Sequence, residues 1–204
     1  MPSRREFIQA GLAASVAPAV FPIGDSASRS SPVEPVSASH HALYCVVCDV
    51  RLRWSADFAH AAERLGNKVV RTTGDITDFW FTDLSRRWRE APVAIAGFTA
   101  PGPLFCLERF GWDHGLRVVF RGTHQFRDEG QVEHALEGPF PTIAAAHIDV
   151  ARADWPRYLA RLLNSCDVAR DTATTTIRSA VADDDRRPDT DDTLVSWVIA
   201  PKHG

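Results

Sequence analysis

Three polar residues of this chain stand where an acid–base reaction could be run: Asp49 closing one apolar run, Asp75 just after a second, and His124 just after a fourth. A histidine oriented by a carboxylate can act as a general base, and a second carboxylate can hold a water or serve as the acid. Gly74, Thr77 and Thr99 are the neighbours that would bind a ligand there, one supplying a tight turn and two supplying hydroxyls. Plainer roles compete for the same residues. Gly74-Asp75-Ile76-Thr77 also reads as a turn and a helix cap, with Asp75 accepting from the Thr77 or Asp78 amide, and His124 also reads as a surface loop histidine.

Other spacings argue against their chemistry. Cys45-Val46-Val47-Cys48 has the C-x-x-C interval of redox and zinc sites, but an offset of three within a strand sends the thiols to opposite faces. Small buried hydrophobes are the expectation. Cys106 and Cys166 bring the cysteines to four. Gly97-Phe98-Thr99-Ala100-Pro101-Gly102-Pro103 occupies the place of a phosphate loop, yet its prolines lack the amide hydrogens that cradle an anion. No G-x-G-x-x-G, Walker, G-x-S-x-G or H-E-x-x-H pattern is present. Asp113-His114 reads as helix-end polarity, His40-His41 as linker and Asp183-Asp184-Asp185 as a solvated loop, so no metal ligands are assigned and no cofactor is named.

The elements that must position these residues lie between Ala42 and Gln125, where four apolar runs alternate with three segments of helical period. Ala42 to Asp49 and Val93 to Gly97 are almost continuously apolar, as strands covered on both faces are; Lys68 to Thr73 and Leu116 to Arg121 mix in charge and read as lateral. Phe58, Ala61, Ala62 and Leu65 make one helical face between Ser55 as N-cap and Gly66 as the residue past the end. Ile76, Phe79, Trp80, Leu84 and Trp88 make a second, with Phe81 off it as a candidate partner-facing aromatic; Leu104, Phe105, Leu107 and Trp112 make a third, stopping at Gly115. Helical crossovers force parallel, right-handed connections. The expectation is a three-layer α/β fold, Rossmann-like or flavodoxin-like, with a mainly parallel sheet of order 2-1-3-4. Its ligand site would lie at the carboxyl ends, at the switch point between the first and third strands.

The second half is less patterned. Phe126 to Gly138 is charged and reads as a loop or short helix, interrupted by Pro139-Phe140-Pro141. Asp154 can cap a helix through Trp155, Tyr158, Leu159, Leu162 and Leu163 with Pro156 in its first turn. Thr174 to Ala182 and Thr193 to Ala200 read as an antiparallel strand pair that extends the sheet at the fourth-strand edge or closes over one face.

The chain has 204 residues, 45% of them apolar, and a net charge of −3, which suits one domain and offers no basic stripe for nucleic acid. At the N-terminus, Ser3-Arg4-Arg5-Glu6-Phe7-Ile8-Gln9 resembles the twin-arginine (Tat) signal of bacterial exported proteins, with Gln9 where that pattern often has Lys. Arg4, Arg5 and Phe7 carry the resemblance. The Ala-rich stretch from Gly11 to Ile23 is too short for a permanent transmembrane helix. Residues 1–23 are read as the signal segment, 24–41 as a disordered Ser- and Pro-rich linker, and 42–204 as a single α/β domain. Cleavage is expected between about residue 19 and about residue 38.

The resemblance implies recognition by the Tat translocase and a periplasmic or otherwise exported destination. It also implies export in the folded state, commonly because the protein carries a cofactor or travels with a co-exported partner. Three functions are therefore expected in order: an exported binding or accessory protein, with a redox enzyme as its candidate companion; a small periplasmic hydrolase built on Asp49, Asp75 and His124; and a small-molecule binder at the switch point.

Overall fold

The computed structural model describes residues 42–127, 131–139, 141–166, 172–180 and 193–201. The signal segment with Arg4, Arg5 and Phe7, the linker with His40-His41, and the acidic loop from Asp183 to Asp192 lie outside the described residues.

Seven strands form one sheet: β1 (Cys45–Asp49), β2 (Val69–Thr72), β3 (Ile95–Thr99), β4 (Leu116–Arg127), β5 (Gln131–Gly138), β6 (Ala173–Ala180) and β7 (Leu194–Pro201). Helices cover both faces, so the fold is three-layer α/β as expected. The order is β2-β1-β3-β7-β4-β5-β6. The 2-1-3 core is parallel, and β7 then enters antiparallel between β3 and β4. Two successive antiparallel pairings leave β4 running in the same direction as β3, as a right-handed crossover requires, but one strand further away.

Two further expectations are corrected. The strands predicted to pair with each other, β6 and β7, are separated by β4 and β5. Leu194-Val195-Ser196-Trp197-Val198-Ile199-Ala200 is buried throughout and belongs in the middle, whereas the Thr-rich β6 suits the edge. The stretch predicted as a loop or short helix instead continues β4 into a hairpin with β5, paired from Arg121↔Glu137 to Arg127↔Gln131.

Helix α1 (Arg53–Arg64), α5 (Pro141–Ala151) and α6 (Trp155–Asn164) lie on one face, where Phe58, Ala62, Ile148, Leu159 and Leu163 meet Val46, Cys48 and Phe98. The other face carries α2 (Thr77–Phe79), a π turn (Trp80–Leu84), α3 (Ser85–Glu90) and α4 (Pro101–Asp113), whose Leu84, Trp88, Leu104 and Leu107 meet Cys45, Val47, Ile95 and Trp197. Each fully buried Val, Leu, Ile or Phe among them contributes roughly 1.5–3 kcal/mol. Trp80, Leu84 and Trp88 recur every fourth residue, slightly more than one α-turn, and the wider π turn keeps all three toward the sheet.

Helix ends differ from the reading in detail. Helix α1 begins at Arg53, so Ser55 is no cap; it is buried and donates to the Phe98 carbonyl at 3.3 Å. Trp54 packs inward and Leu65 is exposed instead. Gly66 (φ +84°) and Gly115 (φ +74°) end α1 and α4 in left-handed conformation, as their positions suggested. Cys45 and Cys48 point into opposite cores, and burial pushes both thiols up to about 12. Cys45, Cys48 and Cys106 are free thiols, the first two buried and the last exposed.

Candidate functional site

Strands β1, β2 and β3 deliver their carboxyl ends to one rim. Asp49 closes β1 with a buried carboxylate that accepts from Arg51 three times: backbone N at 3.1 Å, Nε at 3.0 Å and Nη2 at 2.7 Å. The Arg51 guanidinium then lies across Gly74, in the space where a β-carbon would be, and Gly74 itself has φ +88°. The left-handed conformation is what calls for glycine there, since the guanidinium is the far end of a flexible side chain. Asp75 accepts the expected bond from the Thr77 amide at 2.8 Å through Oδ1, closing a turn just ahead of Ile76, which is the N-cap of α2, and its hydrogen bonds to Thr77 hold its carboxyl below the usual range.

Thr99, expected to face a ligand, is buried in the sheet. Its hydroxyl donates to the Ala100 carbonyl at 2.8 Å and accepts from the Trp197 indole Nε1 at 3.1 Å. Trp197 reaches it by crossing Gly97, its register partner, where any β-carbon would collide with the indole.

His124 is not on the rim. An irregularity in β4 between Val118 and Phe120 inserts one residue, so Leu116 and Val118 face the α4 side while Phe120, Gly122 and His124 turn toward α6. His124 Nδ1 lies 2.7 Å from His134 Nδ1, His124 Nε2 lies 2.9 Å from Ser196 Oγ, and His134 Nε2 lies 2.8 Å from Ser179 Oγ. The result is a buried polar chain Ser196–His124–His134–Ser179 crossing β7, β4, β5 and β6. Gly122 makes room for it, since a β-carbon there would meet Ser196 Oγ.

The Trp155 ring covers the pair, with centroids 4.7 Å from His124 and 4.8 Å from His134, and Phe98 closes one side at 5.7 Å. Burial holds His134 down at about 4 and His124 well below its ordinary value, the neighbouring imidazole adding to the effect on His124. Both rings are therefore neutral near pH 7. Both nitrogens of His124 are engaged within the core, so the set Asp49, Asp75 and His124 is not assembled: the two carboxylates share the rim and the histidine belongs to the interior.

What the rim does build is a groove. Between the start of α2 with its π turn and the start of α4 lies a cavity of ≈ 420 Å³. Gly74, Asp75 and Thr77 form one lip and Gly102 and Cys106 the other, with aromatic rings between them. Trp80 is its best-held wall, stacked on Phe110 at 4.2 Å and edge-on to Trp88 at 5.8 Å. Phe81 and Phe105 stand at its mouth, 72% and 58% exposed.

No protein-family model, curated protein or solved structure matches the chain.

Sequence reasoning found the lip of this groove in Gly74, Asp75 and Thr77 and noted Phe81 as off its helix's buried face. It missed Phe105, which was assigned to the apolar side of α4, and Phe110. It also missed His134 and Ser179. The alternation Val132, His134, Leu136 carried the signal for an inward-facing histidine, but the surrounding charges disguised the strand.

Proposed function

We propose that this chain is a binding or accessory protein, exported folded through the Tat translocase to the periplasm, whose binding face is the groove between α2 and α4. The observation that carries the reading is the groove itself: a concave, mostly apolar site of ≈ 420 Å³ beside the carboxyl ends of the parallel strands, with Phe81 and Phe105 held open to solvent at its mouth. Exposed phenylalanines lose contact with water when a ligand or partner covers them, which makes them sources of binding free energy. The hydrolase alternative is less well supported, because His124 is bonded on both nitrogens and screened by Trp155.

The export half of the proposal rests on the resemblance of residues 3–9 to a Tat signal. No described helix is long and apolar enough to cross a membrane. Fractionation of the host carrying the full chain tests export: replacing Arg4 and Arg5 by Lys should leave the protein in the cytoplasm, and unchanged periplasmic recovery would remove the Tat reading. Native mass spectrometry of the periplasmic protein tests binding. Extra mass that is lost in Phe105→Ser supports the groove as the seat; extra mass unaffected by that change would place binding elsewhere.

A further inference from the structure

The groove has an electrostatic character that narrows what it takes, an inference that rests on the binding reading above. Asp75 is the single charged residue among those described as lining it, and the Thr77 amide fixes one carboxylate oxygen without neutralising the charge. Of the cations close by, Arg51 against Gly74 is committed to the buried Asp49, and Arg109, over the Phe105 ring at 5.2 Å, is not among the residues described as lining the groove. The remaining walls are aromatic: Trp80, Phe81, Phe105 and Phe110, with Trp80 and Phe110 stacked on each other. Aromatic faces attract cations through the ring quadrupole and repel anions, and a carboxylate at the lip adds to that preference. The two prolines at the start of α4, Pro101 and Pro103, remove amide hydrogens that would otherwise have favoured an anion there.

We propose that the groove binds an organic cation: an ammonium group beside the Asp75 carboxylate, carried on an apolar or aromatic body that lies against Trp80 and between Phe81 and Phe105. The apolar body supplies the burial and the charge supplies the selection. A neutral analogue of the same shape enters with lower affinity, and an anionic one is disfavoured twice, by Asp75 and by the rings.

The test is an NMR titration of the full chain with three probes of one shape: 2-phenylethylammonium, 2-phenylethanol and 3-phenylpropanoate. The reporter is the Trp80 indole resonance, identified by its loss in Trp80→Phe. The ammonium should bind about fivefold tighter than the alcohol, and the carboxylate weaker than both. Asp75→Asn keeps an oxygen for the Thr77 amide while removing the charge, so it should abolish the ammonium's advantage and leave the alcohol's affinity unchanged. Phe105→Ser should weaken all three. Equal affinities for the three probes, all weakened by Phe105→Ser, would overturn the cation assignment and leave the binding site standing. No change at Trp80 with any probe at millimolar concentration would overturn both.

Discussion

The Nδ1 atoms of His124 and His134 lie 2.7 Å apart in the interior, so a single proton must sit between two facing ring nitrogens. With both rings neutral, this fixes the direction of the whole chain. If His124 donates from Nδ1, its Nε2 accepts from Ser196 and His134 donates from Nε2 to Ser179; if His134 donates, every bond reverses. Both arrangements satisfy all four ring nitrogens. The pair is thus a polar cross-tie through four antiparallel strands, and it explains how two histidines are buried beneath Trp155 without a charge.

Acid should weaken the fold through this pair. The unfolded histidines titrate near pH 6.5 and the folded ones below it, His134 at about 4, so the unfolded chain binds more protons as pH falls. The contribution is present in full above pH 6.5 and is lost as pH drops toward 4, about 3 kcal/mol from His134 alone, with His124 acting in the same direction. Urea unfolding of the wild type and of a His124→Leu/His134→Met variant between pH 7.5 and 4 isolates the effect from that of the carboxylates. Parallel pH profiles for the two proteins would contradict it.

Breaking the chain at either end should leave a buried nitrogen without a partner. Ser196→Ala and Ser179→Ala are each expected to cost about 1–3 kcal/mol. The double variant should cost less than the sum, because the four groups act as one directional unit. Full additivity in denaturant midpoints would show the two ends to be independent.

Thr99 is expected to matter for stability rather than for ligand affinity. Thr99→Val keeps the volume but removes the acceptor of the buried Trp197 indole, a loss of about 1–2 kcal/mol. Probe binding in the groove should be unaltered, and weakened binding without lost stability would return Thr99 to the ligand.

Gly74→Ala should displace the Arg51 guanidinium and strain the turn at once. The left-handed turn is expected to carry most of the cost, about 1–2 kcal/mol, because the guanidinium is the far end of a flexible, half-exposed side chain and can move aside. Thermal denaturation measures it; a midpoint indistinguishable from wild type would show that the turn relaxes without strain.

Thiol reactivity should divide by position. Cys106 is exposed and should react with a disulfide reagent in the native state, Cys166 more slowly, and Cys45 and Cys48 only after unfolding, because burial holds both up at about 12. Peptide mapping after timed labelling reads this directly. Native labelling of Cys48 ahead of Cys106 would contradict the buried assignment.

Local pattern determined a good deal about this protein by itself. The apolar runs of β1 and β3, the helical faces from Phe58 to Trp88, the stops at Gly66 and Gly115 and the Asp75–Thr77 turn all follow from hydrophobic period, left-handed glycine and amide satisfaction, which act between residues close in sequence. Those same rules placed Gly74, Asp75 and Thr77 on the rim and sent the two thiols of the C-x-x-C to opposite faces. Tertiary structure alone decided where β7 goes, because an apolar strand can sit at any buried position and only competition for the space between β3 and β4 chooses one. It also decided the role of His124. One inserted residue at Val119 reverses which face of β4 is inward, and the partners Ser196, His134 and Ser179 come from three other strands, brought together by pairing across the sheet rather than by any spacing along the chain.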